Sequence, residues 1–265
     1  MTDRLGYRLK LGIVIPSTNT TVQPEADDMR PRGVTNHIGR IHIPDLPLTN
    51  DSEFEQIMTA IGPDLYGAVD RVMSCKPAHL IMAMSIPTFW GGMVGAKDLQ
   101  ARLAKRAGVA VSLGSLACAE ALGKFPKVRS IGILTPYQPI GDRQVAAFFE
   151  ENGWTVGAVH SLKRPSEVLI SHATTADLRD GLRALAAKGV DAIVAATGVR
   201  PTLSRTAGGL VNDAVLAEAG HTAVGTTSFG VASSTGRPSS RARLVTPRSS
   251  MPQGMPRPDG HGPPA

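Results

Sequence analysis

The sequence predicts an α/β protein built from two similar halves and followed by a tail. Three observations lead to this prediction. Apolar runs of strand length alternate with segments of helical periodicity, one such block recurs later in the chain, and the last residues lack the composition of a folded domain. At 265 residues, the chain is long enough for two packed cores.

The alternation runs through most of the chain. The apolar runs predict strands at 11–17, 78–85, 109–113, 130–136, 154–162, 191–198 and 221–227. Apolar residues spaced three or four apart predict helices at 54–75, 96–108, 142–153 and 174–189. Strands that alternate with helices are typical of parallel sheets with helices on both faces.

A weak internal repeat divides the chain. LGIVIP, which begins at Leu11, resembles IGILTP, which begins 120 residues later at Ile131. HLIMAMSIP and DAIVAATGVRP match at a similar separation. We therefore expect a first α/β half at 1–118, a second at 119–220, a return to the first half at 221–233, and a disordered Arg/Pro-rich tail at 234–265.

The net charge of +6 comes mainly from the tail. From residue 234 onward there are five arginines and one acid, so the rest of the chain is nearly neutral. A nucleic-acid partner would depend on these arginines alone, and we do not expect one. No apolar run reaches the roughly 18 residues of a membrane helix. The N-terminal apolar stretch lacks a small-residue cleavage site, so we expect no membrane partner and a cytoplasmic location.

Metal and nucleotide motifs are missing from the sequence. Cys75 and Cys118 form no CxxC, and no Cys/His cluster has metal-ligand spacing. His37 and His42 lie five residues apart in HIGRIHI, a segment with the pattern of a strand, which places them on opposite faces. Neither GxGxxG nor GxxxxGK[ST] occurs. We therefore expect no metal and no nucleotide cofactor.

Polar residues follow several of the predicted strands. In open parallel sheets the carboxyl ends of the strands form the binding crevice, so two related halves would hold a small ligand between them. Hydroxyl, amide and backbone N–H donors suit a carboxylate. The residues concerned are Ser17 to Thr21, Ser85 and Thr88 in a crevice loop over 85–92, Thr135 and Tyr137, and Thr197.

These polar residues have a second interpretation. Ser, Thr and Asn also cap helices, and each of these loops precedes a helix. Either role, ligand binding or capping, fits each residue taken alone. Four such loops at symmetric strand ends favour a binding crevice over capping alone.

Four segments, taken in order, resemble the maleate cis-trans isomerase and arylmalonate decarboxylase branch of the aspartate/glutamate racemase superfamily. They are GIVIPSTNTTVQPE, LIMAMSIPTFWGG, IGILTPYQPIGDRQVAAFF and VDAIVAATG, within roughly residues 8–200. The resemblance implies two flavodoxin-like halves related by a pseudo-twofold axis, with a cofactor-free site between them. It also implies chemistry on small dicarboxylates through an enediolate or a covalent cysteine adduct.

The resemblance also assigns roles to residues. Asn19 matches the asparagine that holds a substrate carboxylate, Ser85 a hydroxyl of the carboxylate or oxyanion pocket, and Tyr137 the pocket tyrosine. Ser17 and Met84 belong to the same substrate-binding motifs. These matches imply a small carboxylate or dicarboxylate as substrate. They leave open whether the protein forms a homo-oligomer.

The catalytic positions depart from the family pattern. The two cysteine positions fall on Ala83 and Thr197, although the decarboxylases also lack the first cysteine. A methyl group cannot transfer a proton, and a threonine hydroxyl is a far weaker acid than a thiol, whose pKa is near 8.5. Cys75 and Cys118 are expected to be packing residues.

We therefore expect an isomerase or decarboxylase with impaired activity, or else a catalytically silent protein that binds a small carboxylate. Past Thr197 the resemblance fades. A change of reading frame near this position would explain both the missing cysteine and the altered C-terminal region. Resequencing the locus and translating every frame would test this hypothesis.

Overall fold

The computed structural model describes residues 3–28, 30–44 and 46–196, together with the backbone of strands 221–226 and 229–234. The predicted tail at 234–265, apart from residue 234, and Thr197 lie outside these residues. The first half contains β1 (Leu9–Pro16), α1 (Val22–Asp28), β2 (Val34–Ile41), α2 (Asp51–Met73), β3 (His79–Met82), α3 (Ser85–Phe89), α4 (Gly92–Ala107) and β4 (Val111–Leu113).

The second half follows a connecting helix, α5 (Gly114–Gly123). It contains β5 (Ser130–Thr135), α6 (Pro139–Glu151), β6 (Thr155–Ser161), α7 (Glu167–Ile170), α8 (Thr175–Ala186), β7 (Ala192–Ala195), β8 (His221–Thr226) and β9 (Phe229–Ser234). The predicted α/β class and the two halves are confirmed.

Each half has its own sheet. The first has the strand order β2-β1-β3-β4, and the second has β6-β5-β7-β9-β8. β1 pairs in parallel with β2 and β3, and β5 pairs in parallel with β6 and β7. Strands β1, β2 and β3 therefore have counterparts in β5, β6 and β7. The sequence repeat predicts the correspondence of β1 with β5 and of β3 with β7.

The region 221–233 differs from the prediction. We expected it to return to the first half, but β8 and β9 belong to the sheet of the second half. β9 pairs antiparallel with β7 from Ala192↔Ser233 to Ala195↔Gly230. Without β9, this edge of β7 would expose unpaired backbone N–H and C=O groups. The hairpin satisfies them.

The start of α2 joins the two halves. The Asn50 side chain accepts a hydrogen bond from the Glu53 backbone N–H at 3.0 Å and so caps the helix. In the first turn, Asp51 Oδ1 accepts a 3.1 Å hydrogen bond from the Ile140 N–H, and Arg143 donates to Asp51 Oδ2 at 2.7 Å. These bonds fix the start of α2 against the start of α6.

The main hydrophobic core also crosses from one half to the other. Phe89 of α3 packs against Phe148 and Phe149 of α6, with ring centroids 5.2 and 5.8 Å apart. All three rings are fully buried. Burial of such rings contributes a large share of core stability. Within the described part of the chain, no helix is both long and apolar enough to cross a membrane.

Candidate functional site

The candidate site lies where the two sheets present the carboxyl ends of their central strands. In the order β2-β1-β3, the connections from β1 and β3 leave on opposite sides, and the crevice at such a switch point is where open α/β sheets bind ligands. β1 ends at Pro16 and β3 at Met82. Ser17 to Asn19 and Ala83 to Ser85 therefore begin at neighbouring strand ends.

A small cavity that is partly open to solvent lies at this point. Six predicted site residues, Thr18, Asn19, Ala83, Met84, Ser85 and Tyr137, line it. The other described residues of its wall are Pro16, Ile86, Glu167 and Ile170. The structure thus brings predicted residues of both halves to one cavity.

Ser85 and Tyr137 form the polar link between the halves. The Ser85 Oγ and Tyr137 Oη hydrogen-bond to each other. The Tyr137 ring is buried and packs edge-on against Phe54, with centroids 5.9 Å apart. A Cβ at residue 141 would lie 2.7 Å from the Tyr137 Cβ, so Gly141 leaves room for the ring.

The Tyr137 hydroxyl is held in its neutral form. Burial raises its pKa above the ordinary 10.0, and the hydrogen bond with Ser85 opposes this shift. The negative charges of Glu167 and Asp142 raise the pKa further. At neutral pH, Tyr137 is therefore a hydrogen-bond donor and not a base.

The crevice loop predicted for 85–92 is instead mainly a short helix. Ser85 is the first residue of α3, and its cap residue, Met84, makes no side-chain cap hydrogen bond. The Thr88 hydroxyl donates to the Ser85 carbonyl at 2.6 Å inside the core. Thr88 is therefore a structural residue, whereas the Ser85 hydroxyl faces Tyr137.

Ser17 has a structural role and does not line the cavity. Its Oγ accepts a 2.9 Å hydrogen bond from the Ile43 backbone N–H, which ties the end of β1 to the chain after β2. The assignment of Ser17 to substrate binding is therefore not supported by its position. A hydroxyl that directly follows a strand is equally suited to pairing with a neighbouring backbone group.

Asn19 lines the cavity and also caps α1. Its Oδ1 accepts hydrogen bonds from the backbone N–H groups of Thr21 at 3.0 Å and Val22 at 2.9 Å. Arg40 donates to the Asn19 carbonyl at 3.1 Å. Both alternatives from the sequence, capping and a place in the crevice, apply to this residue. Its Nδ2 is the atom suited to a ligand, because the oxygen already serves the helix.

The backbone hydrogen bonds at the ends of β3 and β7 show which residues of the two halves occupy equivalent positions. This bears on Ala83 and Thr197, the two cysteine positions that the resemblance implies. The Ala83 N–H donates to the Val14 carbonyl, and the Ala196 N–H donates to the Leu134 carbonyl, both at 2.8 Å. Val14 and Leu134 are equivalent in the repeat. The register therefore equates Ala83 with Ala196, one residue before Thr197.

The cysteines of this chain lie away from the cavity wall. Cys118 is fully buried in α5. Cys75 is half-buried after α2, and its thiol donates to the Val72 carbonyl at 3.1 Å. Neither lines the cavity, so neither is placed to act on a ligand there. No group of three or more His, Cys, Asp or Glu side chains in the described part of the chain could hold a metal ion.

Glu167 is a wall residue that the sequence analysis missed. It is the first residue of α7, directly after the Ser166 cap. Ser166 forms an isolated antiparallel bridge with Pro47, and the Leu48 N–H donates to the Pro165 carbonyl at 2.8 Å. Its position could have been predicted from the sequence, because its segment follows β6, a strand whose carboxyl end also faces the crevice.

A buried polar network lies beneath Tyr137. The hydroxyls of Thr135 and Ser161 both donate to the Asp142 carboxylate. The Tyr137 N–H donates to Thr135 Oγ1 at 3.4 Å. Thr135 is fully buried, so its hydroxyl supports the turn after β5 and does not reach a ligand. Burial raises the pKa of Asp142 above its ordinary 3.8, against the effect of the two hydroxyls.

This shift predicts a pH dependence of stability. A carboxyl whose pKa is higher in the folded state stabilises the fold at low pH, and the contribution is lost as the pH rises through the folded pKa. Relative to wild type, Asp142→Asn should therefore gain stability as the pH rises from about 3.8 through the raised pKa. Melting temperatures of both proteins from about pH 3 to about pH 7 measure this difference.

Asp191 provides a matched control of opposite sign. Its carboxylate accepts backbone hydrogen bonds from Ser130 at 2.8 Å and Arg129 at 2.9 Å, which lower its pKa. Asp191→Asn should therefore lose stability relative to wild type as the pH rises from the lowered pKa through 3.8. A stability difference from wild type that does not change with pH, in either variant, would contradict the assignment for that residue.

Comparison with known proteins identifies the fold. No family model matches the sequence, and no curated protein matches it. Among solved structures, maleate cis-trans isomerase of Nocardia farcinica bound to TRIS matches with a TM-score of 0.65 and 17% identity, over 78% of this chain and 83% of that chain. A cysteine-to-alanine variant of the maleate isomerase of Pseudomonas putida S16, solved with maleate, gives 0.60 and 16% over 71% and 78%.

A decarboxylase shares the same architecture. A liganded double mutant of arylmalonate decarboxylase matches with a TM-score of 0.56 and 18% identity, over 72% of this chain and 78% of that chain. The predicted resemblance is thus confirmed at the level of the fold. The chain has the fold of the maleate cis-trans isomerases and arylmalonate decarboxylases.

Proposed function

We propose that the cavity between the halves binds a small carboxylate or dicarboxylate, and that the chain is a cofactor-independent isomerase or decarboxylase with impaired activity. The observation that carries this proposal is the Ser85–Tyr137 hydrogen bond at the cavity wall. The neutral hydroxyls of Ser85 and Tyr137 belong to different halves. They meet where the central strands of both sheets end. A ligand oxygen placed there contacts both halves at once.

The wall suits one carboxylate group. Ser85 and Tyr137 supply O–H donors, and the Asn19 amide supplies N–H donors. Met84, Ile86 and Ile170 surround these groups with apolar surface. In such surroundings a hydrogen bond to an anion is stronger than in water. The same donors would stabilise the extra negative charge of an enediolate.

Impaired turnover follows from the wall residues. Ala83 carries no group that transfers a proton, and no described wall residue has a thiol. Thr197 follows the end of the β7 segment, at the second cysteine position implied by the resemblance. The alternative function is a catalytically silent carboxylate-binding protein. The methyl group of Ala83 in the wall favours it, because binding needs no nucleophile.

A thermal-shift screen against small mono- and dicarboxylates, followed by turnover assays on the hits, tests the proposal. We expect a saturable rise in melting temperature, because a ligand that binds only the folded state stabilises it. Slow turnover of a hit would support the enzyme, and saturable binding without turnover would support the silent binder. The absence of any shift across the panel would contradict both.

A further inference from the structure

Arg40 lies at the carboxyl end of β2, beside the loop that follows β1. Its Nη1 donates hydrogen bonds to the Asn19 carbonyl at 3.1 Å and to the Ser17 carbonyl at 3.4 Å. Its Nη2 donates to Gln23 Oε1, in the first turn of α1, at 2.9 Å. One guanidinium group therefore ties α1 to the loop that carries Asn19 into the cavity wall.

The charge of Arg40 has no carboxylate partner in the described part of the chain. Its three hydrogen-bond acceptors are neutral oxygens, and none of the salt bridges among these residues includes it. By contrast, Arg143 of α6 pairs with Asp51 at 2.7 Å. An arginine side chain is always charged in proteins. Arg40 therefore keeps a positive charge in direct contact with the main chain of a wall residue.

The wall itself supplies no positive charge. None of its ten described residues is Lys, Arg or His. A carboxylate on the hydroxyls of Ser85 and Tyr137 is held by neutral donors, so any positive charge that attracts it comes from outside the wall. A charge at the edge of a binding site acts on an anion mainly through its association rate and its salt dependence.

We propose that Arg40 is the cationic positioning residue of this cavity. Its hydrogen bonds hold the main chain of Asn19, and its charge favours anionic ligands according to the number of charges they carry. A dicarboxylate then gains more from Arg40 than a monocarboxylate does. This inference rests on the proposed function and names the residue that gives the site its preference for charge.

Two acids of equal carbon number test the contribution of the charge. Propionate carries one carboxylate and malonate two at a pH where both are fully ionised. In calorimetric titrations at low ionic strength, Arg40→Gln should weaken malonate by roughly threefold more than propionate, because the energy of interaction with a fixed charge scales with the charge of the ligand. Added salt should weaken malonate binding to wild type more than to Arg40→Gln. A purely structural effect would weaken both acids equally and leave the salt dependence unchanged.

The Gln23→Glu variant tests the charge with the arginine in place. It puts a carboxylate beside the guanidinium group, which can keep its bonds to the carbonyls of Ser17 and Asn19. An acidic side chain in the first turn of a helix is favourable, so the fold should be kept. This variant should reproduce the greater loss for malonate and the weaker salt dependence.

Two further variants complete the design. Arg40→Lys keeps the charge but loses the planar fork of donors, so both acids should lose affinity equally while the salt dependence remains. Arg106→Gln is the matched control, because Arg106 is an exposed arginine of α4 that pairs with Asp70 outside the cavity wall. It should leave both affinities and their salt dependence unchanged.

The outcomes separate this inference from the proposed function. If neither acid binds wild type, the proposed function fails and the inference fails with it. If both bind and Arg40→Gln weakens them equally, or not at all, the inference is overturned and carboxylate binding stands. Should Arg40→Gln fail to fold, Gln23→Glu decides in its place, since equal losses or no loss in that variant would overturn the inference as well.

Discussion

Ser85→Ala and Tyr137→Phe should each weaken the binding of a small carboxylate by roughly ten- to hundredfold. Loss of a hydrogen bond to a charged group costs about 1.5–3 kcal/mol, which corresponds to this range of affinity. Because the two hydroxyls bond to each other, their effects should not be additive. Titration of wild type, both single variants and the double variant measures the coupling.

Folding stability provides the second measurement for these variants. The Ser85 hydroxyl does not cap α3, so its loss should cost about 1–3 kcal/mol, the penalty of leaving the buried Tyr137 hydroxyl without its partner. Ser74→Ala and Tyr66→Phe are matched controls, since both hydroxyls lie outside the cavity wall. Unchanged affinity together with a lowered melting temperature would mean that this strand end is only structural.

Restoring a thiol should produce the largest gain in turnover. Thr197→Cys, alone or with Ala83→Cys, introduces a thiol, which is far more acidic than the threonine hydroxyl and, unlike the alanine methyl group, can transfer a proton. A well-placed proton-transfer group contributes on the order of a hundredfold or more. We expect a gain of that order for the best substrate of the screen, measured as kcat/KM.

The native cysteines provide the controls for this test. Cys75→Ala and Cys118→Ala should leave turnover unchanged, because neither residue lines the cavity. Robust wild-type turnover that does not respond to changes at Thr197 would refute the assignment. Loss of turnover in Cys118→Ala would instead point to that thiol.

The meeting of the strand ends was predictable from the sequence. The repeat of LGIVIP as IGILTP correctly equates β1 with β5, because both strands are buried runs that end beside a proline. From parallel strands and two related halves, the convergence of Asn19, Ser85 and Tyr137 on one cavity follows. The convergence of Thr197 with them stays a prediction, since that residue lies outside the described range.

The role of each polar side chain was harder to predict. Ser17, Asn19 and Ser85 share one sequence feature, a hydroxyl or amide that follows a strand, but their side chains have different partners. Ser17 accepts from a backbone N–H, Asn19 caps a helix, and Ser85 bonds to a tyrosine of the other half. Local bonds and contacts across the cavity use the same donors and acceptors, so only the three-dimensional arrangement separates them.

Long-range contacts and register explain the other differences. Glu167 reaches the wall because its segment bridges to Pro47, which is distant in sequence. The one-residue offset between Ala83 and Thr197 depends on which carbonyl each strand end faces. Apolar patterning locates a strand but fixes its ends only within a few residues.

A crystal structure of the protein with a carboxylate from the screen tests the central claim most directly. We predict one carboxylate group within hydrogen-bond distance of both Ser85 Oγ and Tyr137 Oη, in the cavity between the two sheets. A ligand bound with full occupancy at another surface, with the Ser85–Tyr137 bond intact and the cavity holding only water, would contradict the claim.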